Sequence, residues 1–265
     1  MGGAVEAGGC VSAPARRLAG LDPGTRLYSI GDIHGRADLL ADLQARILAD
    51  AASGPPDRVV VYLGDYVDRG PDSRRTIELL TGSALPGFRA VHLLGNHEEL
   101  MLAFLADAEA AERWLFNGGD ATLKSYGVDP AQPSAGGDPY ERLRRALLRR
   151  LPRSHFDFLR GLKDSHVEGG YLFAHAGLRP GLPLDRQSRQ DLLWIREPFL
   201  DSLDEFGAVV VHGHTVSVRP EVRPNRIGID TGAYATGRLT CLVLEQATRR
   251  FLATEGKPPT EGKSQ

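Results

Sequence analysis

Apolar residues recur at two spacings along the first hundred positions, and the spacing switches repeatedly between them. A short apolar run at 26–30 ends in Gly31. Leu39, Leu40, Leu43, Ile47 and Leu48 then fall at helical spacing and predict a helix over 37–51, closed by Ser53-Gly54-Pro55-Pro56. The run Arg-Val-Val-Val-Tyr-Leu at 58–63 is continuous, as in a strand covered on both faces. A second helix is predicted over 73–80 and a third strand over 90–94. Helical spacing returns at 98–116, with Leu100, Met101, Phe104 and Leu105 on one side. Asn117-Gly118-Gly119 interrupts it, and Asp120 is expected to cap a short helix ending near Ser125. After a loop at 127–139, helices are predicted over 140–151 and 155–162. Strand-like runs follow at 171–174, 208–211, 226–229, 239–245 and 249–253, the last two as a hairpin. The chain thus begins as alternating strand and helix, carries a helical insert at about 100–162, and ends largely in strands.

Polar clusters stand at the ends of these apolar runs. They are Gly-Asp-Ile-His-Gly at 31–35, Gly-Asp-Tyr-Val-Asp-Arg-Gly at 64–70, Gly-Asn-His-Glu at 95–98, His175 in Phe-Ala-His-Ala-Gly, and His214 in Val-His-Gly-His-Thr. Asp32, Asp65 and Asn96 recur at intervals of about 30 residues, the length of a strand, a crossover helix and the return. That places them at the carboxyl ends of successive parallel strands, where open α/β sheets bind ligands. Asp32 and His34, at i and i+2, share a face of extended chain and can reach one cation. Asp65 has two oxygens and can bridge two cations. The Asn96 carbonyl is a neutral oxygen ligand. His97 is expected at the substrate, as proton donor to a leaving oxygen, with Asp68 on its other ring nitrogen. Arg69 offers a planar fork for phosphate oxygens. Arg196, in Trp-Ile-Arg-Glu-Pro, reads equally well from spacing alone as a packed surface residue. His214 is preferred over His212 because it sits deeper in the turn. His92 reads as a core histidine, and His155 and His166 have no ligand neighbours.

Composition narrows the picture further. With 265 residues, 42% hydrophobic and 25% charged, the chain is long enough for a large α/β domain. A net charge of −2 gives no global case for nucleic acid or an anionic membrane. The basic helix at 140–151 reads as a solvated face. No stretch approaches the ~20 apolar residues of a membrane span, and the two cysteines, Cys10 and Cys241, read as free thiols in the cytoplasm. Residues 1–24 and 255–265, rich in Gly, Ala and Pro or in polar residues, read as a disordered leader and tail around a domain at 25–254.

In this order the motifs resemble the calcineurin-like metallophosphoesterases, and within them the bacterial and phage branch of the serine/threonine phosphoprotein phosphatases. The resemblance runs from about Tyr28 to Leu244. It implies a four-layer α/β/β/α sandwich with two divalent metal ions, often manganese, with iron or zinc also used. It implies one ion on Asp32, His34 and Asp65 and the other on Asp65, Asn96, His175 and His214. It makes His97 the general acid paired with Asp68, and Arg69 and Arg196, with Asn96, the phosphate contacts; Trp-Ile-Arg-Glu matches the family's Trp-x-Arg-Glu. Asp230, in Ile-Asp-Thr-Gly-Ala, is given only a structural role. The implied activity is phosphoester hydrolysis by in-line attack of a hydroxide held between the ions, on a phosphoprotein or a small phosphoester. A symmetrical dinucleoside-tetraphosphate hydrolase shares these motifs. Leu94 stands where many relatives carry arginine, and His175 lies in His-Ala-Gly rather than the His-Gly-Gly of eukaryotic members, so no regulatory subunit is expected. A catalytically silent metal-binding protein would lack a ligand or His97, and none is lacking.

Overall fold

The computed structural model describes residues 20–82, 84–131 and 137–255. Cys10 and most of the predicted leader and tail lie outside them. Residue Leu21, assigned to the leader, is packed instead: it is buried, and its N–H donates to the Gln246 carbonyl at 3.1 Å.

The alternating half forms β1 (Thr25–Ile30), α1 (Ala37–Ala51), β2 (Asp57–Tyr62), α2 (Ser73–Thr81), β3 (Arg89–His92) and α3 (Asn96–Ala106). The insert holds α4 (Ala111–Trp114), a π-helical stretch (Leu115–Gly119), α5 (Asp120–Ser125), α6 (Pro139–Arg150) and α7 (Arg153–Arg160). Then come β4 (Ser165–Glu168), β5 (Tyr171–Ala174), α8 (Arg189–Trp194), β6 (Val209–His212), β7 (Glu221–Val222), β8 (Arg226–Gly228), α9 (Ala233–Thr236), β9 (Thr240–Glu245) and β10 (Thr248–Ala253). Among the described residues they make two five-stranded sheets, β10-β9-β1-β2-β3 and β4-β5-β6-β8-β7. β1, β2 and β3 run parallel, as do β5, β6 and β8, so their carboxyl ends converge.

Side-chain alternation along the strands builds the layers. Leu27, Val59, Val61, Leu242 and Leu244 of the first sheet meet Tyr171, Phe173, Val209, Val211 and Ile227 of the second in a core between the sheets. The opposite faces carry Tyr28, Val60, Tyr62 and Val243 against α1, α2 and the insert, and Leu172, Ala174 and Val210 against α8 and Phe199. This is the expected four-layer α/β/β/α sandwich. At about 25 cal/mol per Å² of apolar surface removed from water, these three cores are its main stabilising term.

Two expectations need correction. The helix predicted over 98–116 ends at Ala106, because Asp107 turns extended and its carboxylate accepts from the Glu109 N–H at 3.0 Å, capping a new turn. Asp120 lies inside α5, with its carboxylate on Lys124 at 2.8 Å, and Gly119 takes the capping position. The short polar strands β4 and β7 were not predicted.

Candidate metal centre

The loops after β1, β2 and β3 are stitched together by backbone bonds. The N–H groups of Ile33 and His34 donate to the Asp65 carbonyl at 3.0 and 2.8 Å, and that of Gly35 to the Tyr66 carbonyl at 2.8 Å. Glu98, in the first turn of α3 and fully buried, holds the other two loops. Its Oε2 accepts from the N–H groups of Asp65 (2.8 Å) and Gly95 (3.0 Å), and its Oε1 from those of Tyr66 (2.7 Å) and Val67 (3.1 Å). Sequence reasoning left Glu98 without a role, although its place three residues after Gly95 is a capping signal. Strain is concentrated here: His34, Asp65, Asp68, Arg69 and His214 all have positive φ, and among the described residues only Gln246 in the hairpin turn joins them as a non-glycine.

These loops aim donor atoms at common points. His34, Asp65 and His97 bring ligand atoms within 4.8 Å of one another, as do Asp65, His175 and His214. Neither group contains Asp32. Its Oδ2 accepts from the His214 N–H at 3.0 Å, while its Oδ1 is buried without a partner. Asn96 lies in the second group's centre: its Oδ1 is 2.9 Å from His175 Nε2 and 3.0 Å from His214 Nδ1. His212 is elsewhere, against Phe199 and Arg226. His92 stacks on Tyr62.

Hydrogen bonds fix which ring nitrogens face the centre. His175 Nδ1–H donates to the Leu63 carbonyl and His34 Nδ1–H to the Val67 carbonyl, each at 2.9 Å. The His175 Nε2 lone pair then faces Asn96 Oδ1, acceptor against acceptor, while that of His34 lies 3.5 Å from Asp65 Oδ2 and accepts from Arg69 Nη1 at 3.0 Å. Burial keeps these imidazoles neutral, lowering His34 and His175 and bringing His214 down to about 3. Three carboxylates crowd the same space. Burial, then Asp230 and Asp65, raise Asp32 well above the usual range, and burial brings Asp230 to about 6. Burial opposes ionisation of Asp65 too, but His175, His97, His34 and His214 hold it well below the usual range. Opposed lone pairs, an orphaned carboxylate oxygen and mixed oxygen–nitrogen donors are what a pair of divalent cations would satisfy.

His97 is oriented differently. Its Nδ1–H donates to Asp68 Oδ2 at 2.8 Å, and its buried Nε2 has no hydrogen-bond partner and lies 3.9 Å from Asp65 Oδ2. Burial would lower its pKa, but Asp65 and Asp68 outweigh that and raise it. Arg69 is exposed, with Nη1 3.0 Å from His34 Nε2 and its guanidinium over the Tyr234 ring at 4.9 Å. Arg196 is exposed near His214, whose pKa its charge helps lower. Tyr234 carried no signal in the sequence.

Comparison with known proteins adds to this geometry. The family model described as calcineurin-like phosphoesterase matches residues 25–240. A serine/threonine-protein phosphatase 1 from Salmonella typhimurium is 30% identical over 219 residues, covering 81% of this chain and 89% of that protein. An asymmetrical bis(5'-nucleosyl)-tetraphosphatase PrpE from Bacillus thuringiensis is 26% identical over 232 residues, covering 80% and 88%. A crystal structure titled as a putative diadenosine tetraphosphatase shares the fold with a TM-score of 0.56 at 22% identity, covering 90% of this chain and 100% of that one.

Proposed function

The chain belongs to the calcineurin-like phosphoesterase family and is a phosphoester hydrolase, and on that basis we propose that it is a metal-dependent phosphomonoesterase acting on phosphoserine or phosphothreonine in proteins. Asp32, His34 and Asp65 would hold one divalent cation, and Asp65, Asn96, His175 and His214 the other; manganese suits the oxygen–nitrogen donor set, as do iron and zinc. When bound, such a pair acidifies water and neutralises phosphoryl charge. Arg69 and Arg196 grip the phosphoryl oxygens and orient the ester for in-line displacement. His97 presents Nε2 to the leaving oxygen and gives up its proton there as the P–O bond breaks. Asp68 holds Nδ1–H and stabilises the charged ring. The observation that carries this reading is the unpartnered, buried His97 Nε2, backed by Asp68 and facing the cluster. The chain works in the cytoplasm, with Cys241 a free buried thiol.

The test is a substrate panel with manganese-loaded enzyme: phosphoserine and phosphothreonine peptides, para-nitrophenyl phosphate and diadenosine tetraphosphate. Turnover of the peptides is expected. Turnover of the dinucleotide alone would replace this reading with that of a dinucleoside-tetraphosphate hydrolase. In the same assay His97→Asn should lose turnover of the peptides and keep its metal; loss of metal would remove His97 from the acid's role.

A further inference from the structure

The helical insert grips Asp68. Trp114, the last residue of α4, is fully buried and stacks on Phe104 with ring centroids 4.8 Å apart. Its indole N–H donates to both Asp68 oxygens, at 3.1 and 3.0 Å. Thr122, in α5 and also fully buried, donates its hydroxyl to Asp68 Oδ1 at 2.7 Å and accepts from the Asp68 N–H at 2.9 Å. Ser73 Oγ, 2.8 Å from Thr122 Oγ1, braces that hydroxyl. The π-helical stretch between them supplies the Gly118 carbonyl to the N–H of Arg69 at 3.2 Å. One segment, 114–122, therefore holds the positive-φ pair Asp68 and Arg69 by backbone and side chain together.

We propose that Trp114 and Thr122 are positioning residues that aim His97 through Asp68, so that the insert completes the acid that serves the leaving group. The proposal rests on the reading of His97 given above. Asp68 is 0% exposed, so solvent does not compete with these donors. With the indole and hydroxyl in place the carboxylate has one orientation, and the ring bonded to its Oδ2 has one as well. Ordinary packing would bury an indole and satisfy its N–H on any carbonyl; here the N–H is spent on the carboxylate that holds the acid's Nδ1–H. Gly119 makes the same point from the other side. Its φ of −62° suits any residue, yet an added Cβ would lie 2.5 Å from the indole Cδ2. The glycine leaves space for Trp114 in this seat.

A positioning defect has a chemical signature that a stability defect lacks. Esters of acidic phenols leave with little proton donation, whereas a serine alkoxide needs it. Trp114→Phe keeps the stacking on Phe104 and removes the N–H; Thr122→Val removes the hydroxyl at similar volume. Each should lower kcat on a phosphoserine peptide by about tenfold or more, the scale of one hydrogen bond to a charged group. On para-nitrophenyl phosphate kcat should fall by less than about threefold, with KM and metal content held. Thr122→Ser should restore the peptide rate, and Gly119→Ala, which displaces the indole, should repeat the Trp114→Phe pattern. In metal-free protein the His97 Nδ1–H proton resonance should shift or broaden in Trp114→Phe and stay in place in Thr122→Ser. His97→Asn is the control. If it falls equally on both substrates, the acid's role is wrong. If His97→Asn separates the two substrates while Trp114→Phe, Thr122→Val and Gly119→Ala fall equally on both or not at all, the clamp is wrong.

Discussion

Glu98→Gln is the substitution whose effect the structure specifies most closely. The Glu98 carboxylate is fully buried and accepts from four backbone N–H groups on two loops. Two physical effects contend over its charge. Burial and the nearby Asp65 push its pKa up, whereas four converging donors favour the ionised form. The donors decide, because a protonated carboxyl would have to point its own hydrogen at an N–H. Glutamine keeps the shape and one oxygen but sets an amide nitrogen against two of those N–H groups. Two buried donors are left unpaired, at about 1–3 kcal/mol each, or roughly 2–6 kcal/mol in all. For a chain of this size that is a fall in melting temperature of roughly 5–20 °C. Calorimetry of the metal-free variant beside the wild type measures it. Metal affinity should drop as well, since the Asp65 N–H loses its anchor. A change under about 1 kcal/mol would mean that Glu98 is carried neutral and that its four bonds do not set the loops.

His92 gives a pH prediction. Burial lowers it to about 4, while the unfolded chain titrates near 6.5, so acid favours unfolding. The stability tied to its neutral form is present above 6.5 and is lost as pH falls toward 4. Between pH 7 and 5 that amounts to about 1–2 kcal/mol, and His92→Phe should flatten the urea-unfolding profile over this window by that much; an unchanged slope would contradict it. Arg69→Ala should lower kcat/KM by about tenfold or more with metal content intact, as expected for a lost guanidinium–phosphoryl contact, and Arg69→Lys should recover part of it. Kinetics within about twofold of wild type would remove Arg69 from the substrate.

The parts legible in the sequence were those governed by short-range pattern. β2 read as a buried strand because Val59, Val60 and Val61 leave no polar face, and α1 matches its predicted bounds because its apolar residues keep one stripe. The polar clusters could be placed together because parallel strands bring their carboxyl ends to one edge. The insert resisted. Leu100, Met101, Phe104 and Leu105 continue a helical rhythm that Asp107 ends through its own side chain, which periodicity does not register. β4 was hidden because Ser-His-Val-Glu is mostly polar and pairs only at the sheet's edge with β5. The grip of Trp114 and Thr122 on Asp68 joins positions 46 and 54 residues apart, and no local spacing encodes such a contact. The crowding of Asp32, Asp65 and Asp230 is likewise a product of packing between loops of both sheets.

Asp65 belongs to both donor groups, so its removal bears on both cations at once. Elemental analysis of the manganese-loaded wild type and of Asp65→Asn, each freed of loosely held metal by gel filtration, reads this directly. About two divalent ions per wild-type chain and fewer than about one per variant chain are expected. A wild-type chain that retains no metal, or a variant that keeps both ions, would contradict the shared-carboxylate centre.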